Sequence, residues 1–314
     1  IATSTPITAL ASSSTKLQIS TAGLADGGFA VNWAASTSVF DGSSSGIEGI
    51  VFNADNTPRS PVFGVNNDVT SSQQQSSSST VALDNGGFMV TWHTNDSTID
   101  ASSSAIRARL FDANGAAQGP EFLVNEDTQS SQLYVTPSVL ENGGFVIAWS
   151  SRDGEDTEQE GIKARVFDSN GAPVTGDFLV NQNTFDRQLF ANVTEMPDGR
   201  LAFVWQNGNP VGGASSTIAL RVFNADGSAS SDEIYVNEGN NPTQRQPNVT
   251  ALENGNLMIA WQVRSLDQST DSISIRILSA SEFGGAGGIG ESDTLTIASA
   301  DLLANDSDVD GDVL

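Results

Sequence analysis

The sequence predicts an all-β fold, a five-bladed β-propeller of four-stranded antiparallel blades. Three observations carry this: tryptophans at a near-constant period, a glycine turn at a fixed distance before each, and strand-length apolar runs between turns. The five tryptophans, Trp33, Trp92, Trp149, Trp205 and Trp261, are separated by 59, 57, 56 and 56 residues. A period of that length, carried by strand-like segments, marks an array of one supersecondary unit.

Within each copy the elements follow in order. A first strand, such as Val135 to Leu140 or Asn248 to Leu252, precedes the turn. The turns are Asp26-Gly27, Asn85-Gly86, Asn142-Gly143, Asp198-Gly199 and Asn254-Gly255, residue types that accept the positive φ of tight β-connections. The second strand closes on the tryptophan. Phe145, Ile147 and Trp149 point one way while Val146 and Ala148 point the other, a large and a small face as stacked sheets require. Asn32 and Thr91 are the polar exceptions. The third strand ends at Val51-Phe52-Asn53, Leu110-Phe111-Asp112, Val166-Phe167-Asp168 and Val222-Phe223-Asn224, with a glycine shortly after in three of these four copies. The fourth ends at Val65-Asn66, Val124-Asn125, Val180-Asn181 and Val236-Asn237.

The fifth copy runs through Ile273 to Leu278 and lacks a Val-Asn strand. Pro6 to Leu10 stands at about the right offset to supply it, so the N-terminal strand is expected to close the ring and remove the exposed edges. An open superhelix of five blades is the alternative. The expected domains are residues 1–283 as the propeller, 284–290 as a glycine-rich linker, and 291–314 as the incomplete start of another repeat.

Thirty-eight acidic residues against 13 basic give a net charge of −25, which disfavours nucleic acid and anionic membranes and favours cations. There is no cysteine, hence no disulfide or thiolate-metal chemistry. No apolar run approaches the ~18 residues of a membrane-spanning helix. The start at Ile1 suggests a processed product or a piece of a longer chain.

Asp306, Asp308, Asp310 and Asp312 alternate, with Gly311 before the last, and suit a hard cation such as calcium, which takes about six to eight oxygens. A solvated acidic turn is the competing reading. A second, weaker cation candidate is Asp153, Glu155 and Asp156 in the third long loop, for which a solubilising acidic segment is the preferred reading.

The segment from Asp293 to Asp312, with its Leu-Leu-Ala-Asn-Asp-Ser-Asp-Val-Asp-Gly-Asp core, resembles the opening of cadherin-like repeats of large bacterial secreted proteins, the repeats-in-toxin (RTX) adhesins and their relatives. The Gly-Gly-Phe-x-x-x-Trp and Phe-Asp-x-Asn-Gly copies are similar to propeller-like repeats of the same giant proteins. The resemblance implies export by a type I route, location outside a bacterial cell or on its surface, calcium-stiffened neighbouring domains, and modules that bind surfaces or sugars. The chain departs from that family in stopping at Leu314, before a cadherin-like domain is complete.

Ligand recognition is expected on the face carrying the long loops 34–46, 93–104, 150–160, 206–216 and 262–271, whose sequences diverge while the strands repeat. Gln75, Gln132, Gln188 and Gln244, each 17 residues before a tryptophan, and Asn66, Asn125, Asn181 and Asn237 repeat too regularly for chemistry; they are expected to hydrogen-bond loop backbone. No catalytic residue is expected. Propeller glycoside hydrolases need paired carboxylates near the axis, yet Glu195 is alone on the first strands and Glu141 and Glu253 lie in turns. His93 is the single histidine and has no triad spacing around it. The expected function is a non-catalytic, calcium-associated extracellular adhesion module, possible partners being a cell-surface glycan or protein, without nucleic acid or membrane insertion. A glycan-processing propeller enzyme and a ligand-free spacer are the alternatives.

Overall fold

The turn residues build what they predict. Gly27, Gly86, Gly143, Gly199 and Gly255 adopt φ of 80° to 86°, where an L side chain would be strained, and each closes a hairpin. The structure is a computed structural model. It describes residues 16–36, 38, 40, 45–66, 76–95, 104–128, 131–152, 160–208, 216–237, 243–264, 271–279, 282–283 and 294–298, with backbone alone at 16–17, 76–77 and 294–298.

Among these residues there is no helix, and twenty strands form five four-stranded antiparallel sheets. Sheet 1 is β1 (Lys16–Gly23), β2 (Phe29–Ala35), β3 (Gly46–Phe52) and β4 (Phe63–Gly64). Sheet 2 is β5 (Ser76–Ala82), β6 (Phe88–Thr94), β7 (Ala105–Phe111) and β8 (Phe122–Leu123). Sheet 3 is β9 (Gln132–Val139), β10 (Phe145–Ser151), β11 (Gly161–Phe167) and β12 (Phe178–Leu179). Sheet 4 is β13 (Gln188–Glu195), β14 (Leu201–Asn207), β15 (Thr217–Phe223) and β16 (Ile234–Tyr235). Sheet 5 is β17 (Thr243–Ala251), β18 (Leu257–Arg264), β19 (Asp271–Leu278) and β20 (Thr294–Ala298). Chain order is spatial order in every sheet.

Sheet 5 corrects one expectation. Its fourth place is taken by Thr294–Ala298, in register from Ser272↔Ala298 to Arg276↔Thr294, and not by an N-terminal strand. Residues 6–10 lie outside the described residues. The segment expected to open a cadherin-like repeat is thus, over these five residues, the last strand of the repeat array.

The chain divides into two compact units, Ile1–Phe145 with Phe167–Ala172, and Val146–Val166 with Pro173–Leu314. In the first, the small face of sheet 1 (Ala30, Val51, Val65) packs on Phe88, Trp92 and Phe111 of sheet 2. Phe63 of β4 lies 6.5 and 5.4 Å from the rings of Phe88 and Phe111, and Phe122 of β8 lies 6.4 and 5.6 Å from Phe145 and Phe167. In the second unit, Ala202, Val204, Leu220 and Val222 of sheet 4 pack on Leu257, Ile259, Trp261 and Leu278 of sheet 5. Phe178 repeats the aromatic wedge against Phe203 and Phe223 at 6.2 and 5.2 Å. Both faces of β6, β10 and β11 are buried throughout, as the alternation of large and small residues requires. The polar exceptions are buried with partners: Thr80 of sheet 2 donates to Asn32 of sheet 1, and Thr91 Oγ1 donates to Ser79 O at 3.5 Å.

Arginines hold neighbouring sheets together. In the first unit Arg109 Nη1 donates to Val65 O at 2.8 Å; in the second Arg221 Nη1 donates to Val180 O at 3.0 Å, and Arg276 Nη1 to Val236 O. Each guanidinium satisfies a carbonyl at the end of the preceding sheet's fourth strand. Burial pushes the Arg109 guanidinium pKa down, against the pull of Glu121.

Candidate functional site

The predicted metal residues Asp306, Asp308, Asp310 and Asp312, and the weaker set Asp153, Glu155 and Asp156, lie outside the described residues. So do the middles of the five long loops. Among the described residues no three His, Asp or Glu side chains come together in a way that would hold a metal ion. Glu195 is half-buried at the end of β13, Glu141 and Glu253 are exposed in turns, and His93 is buried on β6.

The long-loop end of the second unit carries two matched ionic arrangements that the sequence reading missed. Glu160, just before β11, is bound by Arg187 through two contacts of 2.6 and 2.7 Å, and Arg152 Nη2 adds a third at 3.3 Å. The Glu160 side chain is only 7% exposed, whereas that of Arg152 is 53% exposed. Asp271, opening β19, sits likewise between Arg264 Nε at 3.2 Å and Arg245 Nη2 at 3.9 Å, and accepts from Gln262 Nε2 at 2.9 Å. Each arrangement places two guanidiniums on one carboxylate where a long loop meets the sheet. The bidentate Arg187 pair is the geometry in which an ion pair is strong. The signal was present in the sequence as acids at the starts of two third strands and arginines at the starts of first strands, Arg187 just before that of the next sheet and Arg245 on that of the same sheet, residues that no repeat rule demands.

These contacts fix the ends of the third long loop. Residues 153–159 run between Arg152 and Glu160, which pair with each other, and Glu160 is held by Arg187 as well, so the most acidic loop of the chain departs from an anchored base.

No protein-family model and no curated protein sequence matches the chain. Solved structures do. A protein of unknown function from Dyadobacter fermentans superposes with a TM-score of 0.57 at 11% identity, over 91% of this chain and 83% of that one. The Penicillium chrysogenum α-L-arabinanase complexed with arabinobiose gives 0.53 at 10% identity, over 83% and 88%. The Fusarium graminearum GH93 α-L-arabinofuranosidase with arabinobiose gives 0.55 at 9% identity, over 90% and 93%.

The fold is of the β-propeller type. The five four-stranded sheets fit five blades. The same neighbours correct the expected function. They speak against a non-catalytic adhesion or binding module and against the expectation that the chain is not an enzyme, because an arabinanase and an arabinofuranosidase share this fold over 88% and 93% of their own length. The neighbours offer nothing that bears on RTX adhesins or cadherin-like repeats.

Proposed function

We propose that the chain is a glycan-processing β-propeller, a glycoside hydrolase whose five sheets are the five blades. The observation that carries this is the end-to-end likeness to the arabinanase and the arabinofuranosidase, which spans 83% and 90% of this chain. Glycoside hydrolysis needs two carboxyl groups flanking the scissile bond, one to protonate the leaving oxygen and one to act as nucleophile or to activate water. The described first strands offer only Glu195, so the pair is drawn from the long loops.

Asp153, Glu155 and Asp156 are the best source. Their loop is tied at its base by Arg152, Glu160 and Arg187, which gives a catalytic loop the fixed footing that reaction geometry demands. Glu160 itself is a positioning residue, since Arg187 occupies both its oxygens.

The test is release of reducing sugar from arabinobiose, linear arabinan and a panel of other plant and bacterial glycans. Hydrolysis of at least one is expected, lost by about 100-fold or more in Asp153→Asn, Glu155→Gln or Asp156→Asn. No release from any glycan overturns the proposal.

A further inference from the structure

The first strand of every sheet whose register is given carries a bulge at one place. In sheet 1 the partners jump from Leu17↔Ala34 to Ser20↔Asn32, leaving two residues opposite Trp33. The same jump leaves two residues opposite Trp92, Trp205 and Trp261. The first bulge residue has a positive φ in sheets 1, 4 and 5, 50° at Gln18, 54° at Phe190 and 49° at Gln246, and Tyr134, at the same place in β9, has 56°.

That conformation is uncommon for any side chain and a true outlier for bulky ones. The chain knows the easy solution, since ten glycines, Asn56 and Asp186 serve its other described positions at positive φ. At the bulges it uses glutamine, tyrosine, phenylalanine and glutamine instead. The recurrent tryptophan explains why a bulge exists, but a glycine would serve that purpose with less strain. Side chains retained against backbone strain point to a use for the side chains, and bulges are a means of re-aiming them.

In the second unit two such residues stand on neighbouring first strands. Phe190 of β13 and Gln246 of β17 occupy the same register position, and Val249 N donates to Asn192 Oδ1 at 3.2 Å between the two strands. Phe190 is half-buried and Gln246 exposed. An aromatic ring and a primary amide at matching positions of neighbouring first strands are suited to one ligand chemistry in particular: a saccharide ring, whose C–H face stacks on the aromatic ring and whose hydroxyls take the amide donor and acceptor. We propose that Phe190 and Gln246 form a saccharide-binding subsite. This deepens the glycan-processing reading and rests on it for the choice of ligand.

The test uses the full chain and isothermal titration with arabinobiose, xylotetraose and tetragalacturonate, comparing wild type with Phe190→Leu and Gln246→Gly. Phe190→Leu keeps an apolar side chain and removes the ring. Gln246→Gly removes the amide and relieves the positive φ, so it should raise Tm by roughly 2 °C while weakening binding. The expected result is binding of at least one saccharide, weakened about tenfold by each substitution. A stabilised Gln246→Gly that binds as wild type does, or no binding of any of the three by wild type, overturns the subsite. Hydrolysis is followed in parallel. Binding that needs Phe190 and Gln246 but leads to no hydrolysis keeps the subsite and overturns the hydrolase reading. Hydrolysis indifferent to both substitutions does the reverse.

Discussion

Asn181 Oδ1 accepts the Ile162 N–H at 2.7 Å across 19 residues of chain. The fourth strand of sheet 3 is two residues long, so β11 runs on past its partner and Ile162 would otherwise lack an acceptor. The asparagine side chain continues the ladder that the backbone abandons, and its Nδ2 donates to Asn183 O at 3.0 Å. Asn66, Asn125 and Asn237 do the same for Ile47, Ile106 and Ile218 at 2.8, 2.8 and 2.6 Å. These asparagines were expected to bond loop backbone, and the Nδ2 groups of Asn125 and Asn181 do so on Asp127 O and Asn183 O; the Oδ1 acceptors of all four serve a strand as well.

Asn181→Ala should therefore cost about 1–3 kcal/mol, the penalty for a buried unpaired N–H. Denaturant unfolding measures it. Hydrogen exchange at Ile162 should accelerate more than at Ala164, which keeps its strand partner Phe178.

Arg109→Lys should destabilise by roughly 1.5–3 kcal/mol. The guanidinium reaches Val65 O at 2.8 Å and Gly119 O at 3.3 Å at once, which an ammonium does not. Ile50 occupies the matching place in sheet 1 and is buried in its apolar core, so Ile50→Lys should itself destabilise by the same assay.

Gly115 has φ +80°, and a Cβ there would lie 2.6 Å from the Phe63 ring, so Gly115→Ala should cost about 2 kcal/mol or more. The first copy has Asn56 at the same turn position, with φ 67°. Asn56→Gly should be neutral or stabilising by less than about 1 kcal/mol. Thermal melting of the two variants separates them.

Acid should weaken two of the hairpin turns. Arg59 holds the Asp26 carboxyl below the usual range, aided by the Gly28 N–H, and Arg200 does so for Asp198. A carboxyl depressed in the folded state contributes stability above its unfolded pKa of about 3.9 and loses it as pH falls through the folded value. Asp26→Asn and Asp198→Asn keep the turn bond, as Asn85 and Asn142 show at 2.9 and 2.8 Å. The double variant should melt below wild type at pH 6, and the gap should close below about pH 4.

Calcium on Asp306, Asp308, Asp310 and Asp312 is a proposal from sequence, and melting with and without chelator decides it. A Tm that rises with calcium in wild type and not in Asp308→Asn/Asp310→Asn supports it. Identical curves refute it.

The sequence by itself determined the sheets. Alternating large and small residues, Asn-Gly and Asp-Gly turns and the tryptophan period act over a few residues, so they are readable without neighbours. It also exposed Gln244, whose Oε1 accepts the Trp261 indole N–H 17 residues on, though not what it bonds. Tertiary structure decided what depends on residues distant in the chain: that Thr294–Ala298 completes sheet 5, that arginines bind carbonyls of the sheet before, and that Glu160 is locked to Arg187 and Arg152. Strand completion and ion pairing depend on which groups meet in space, and a local pattern carries no record of its distant partner.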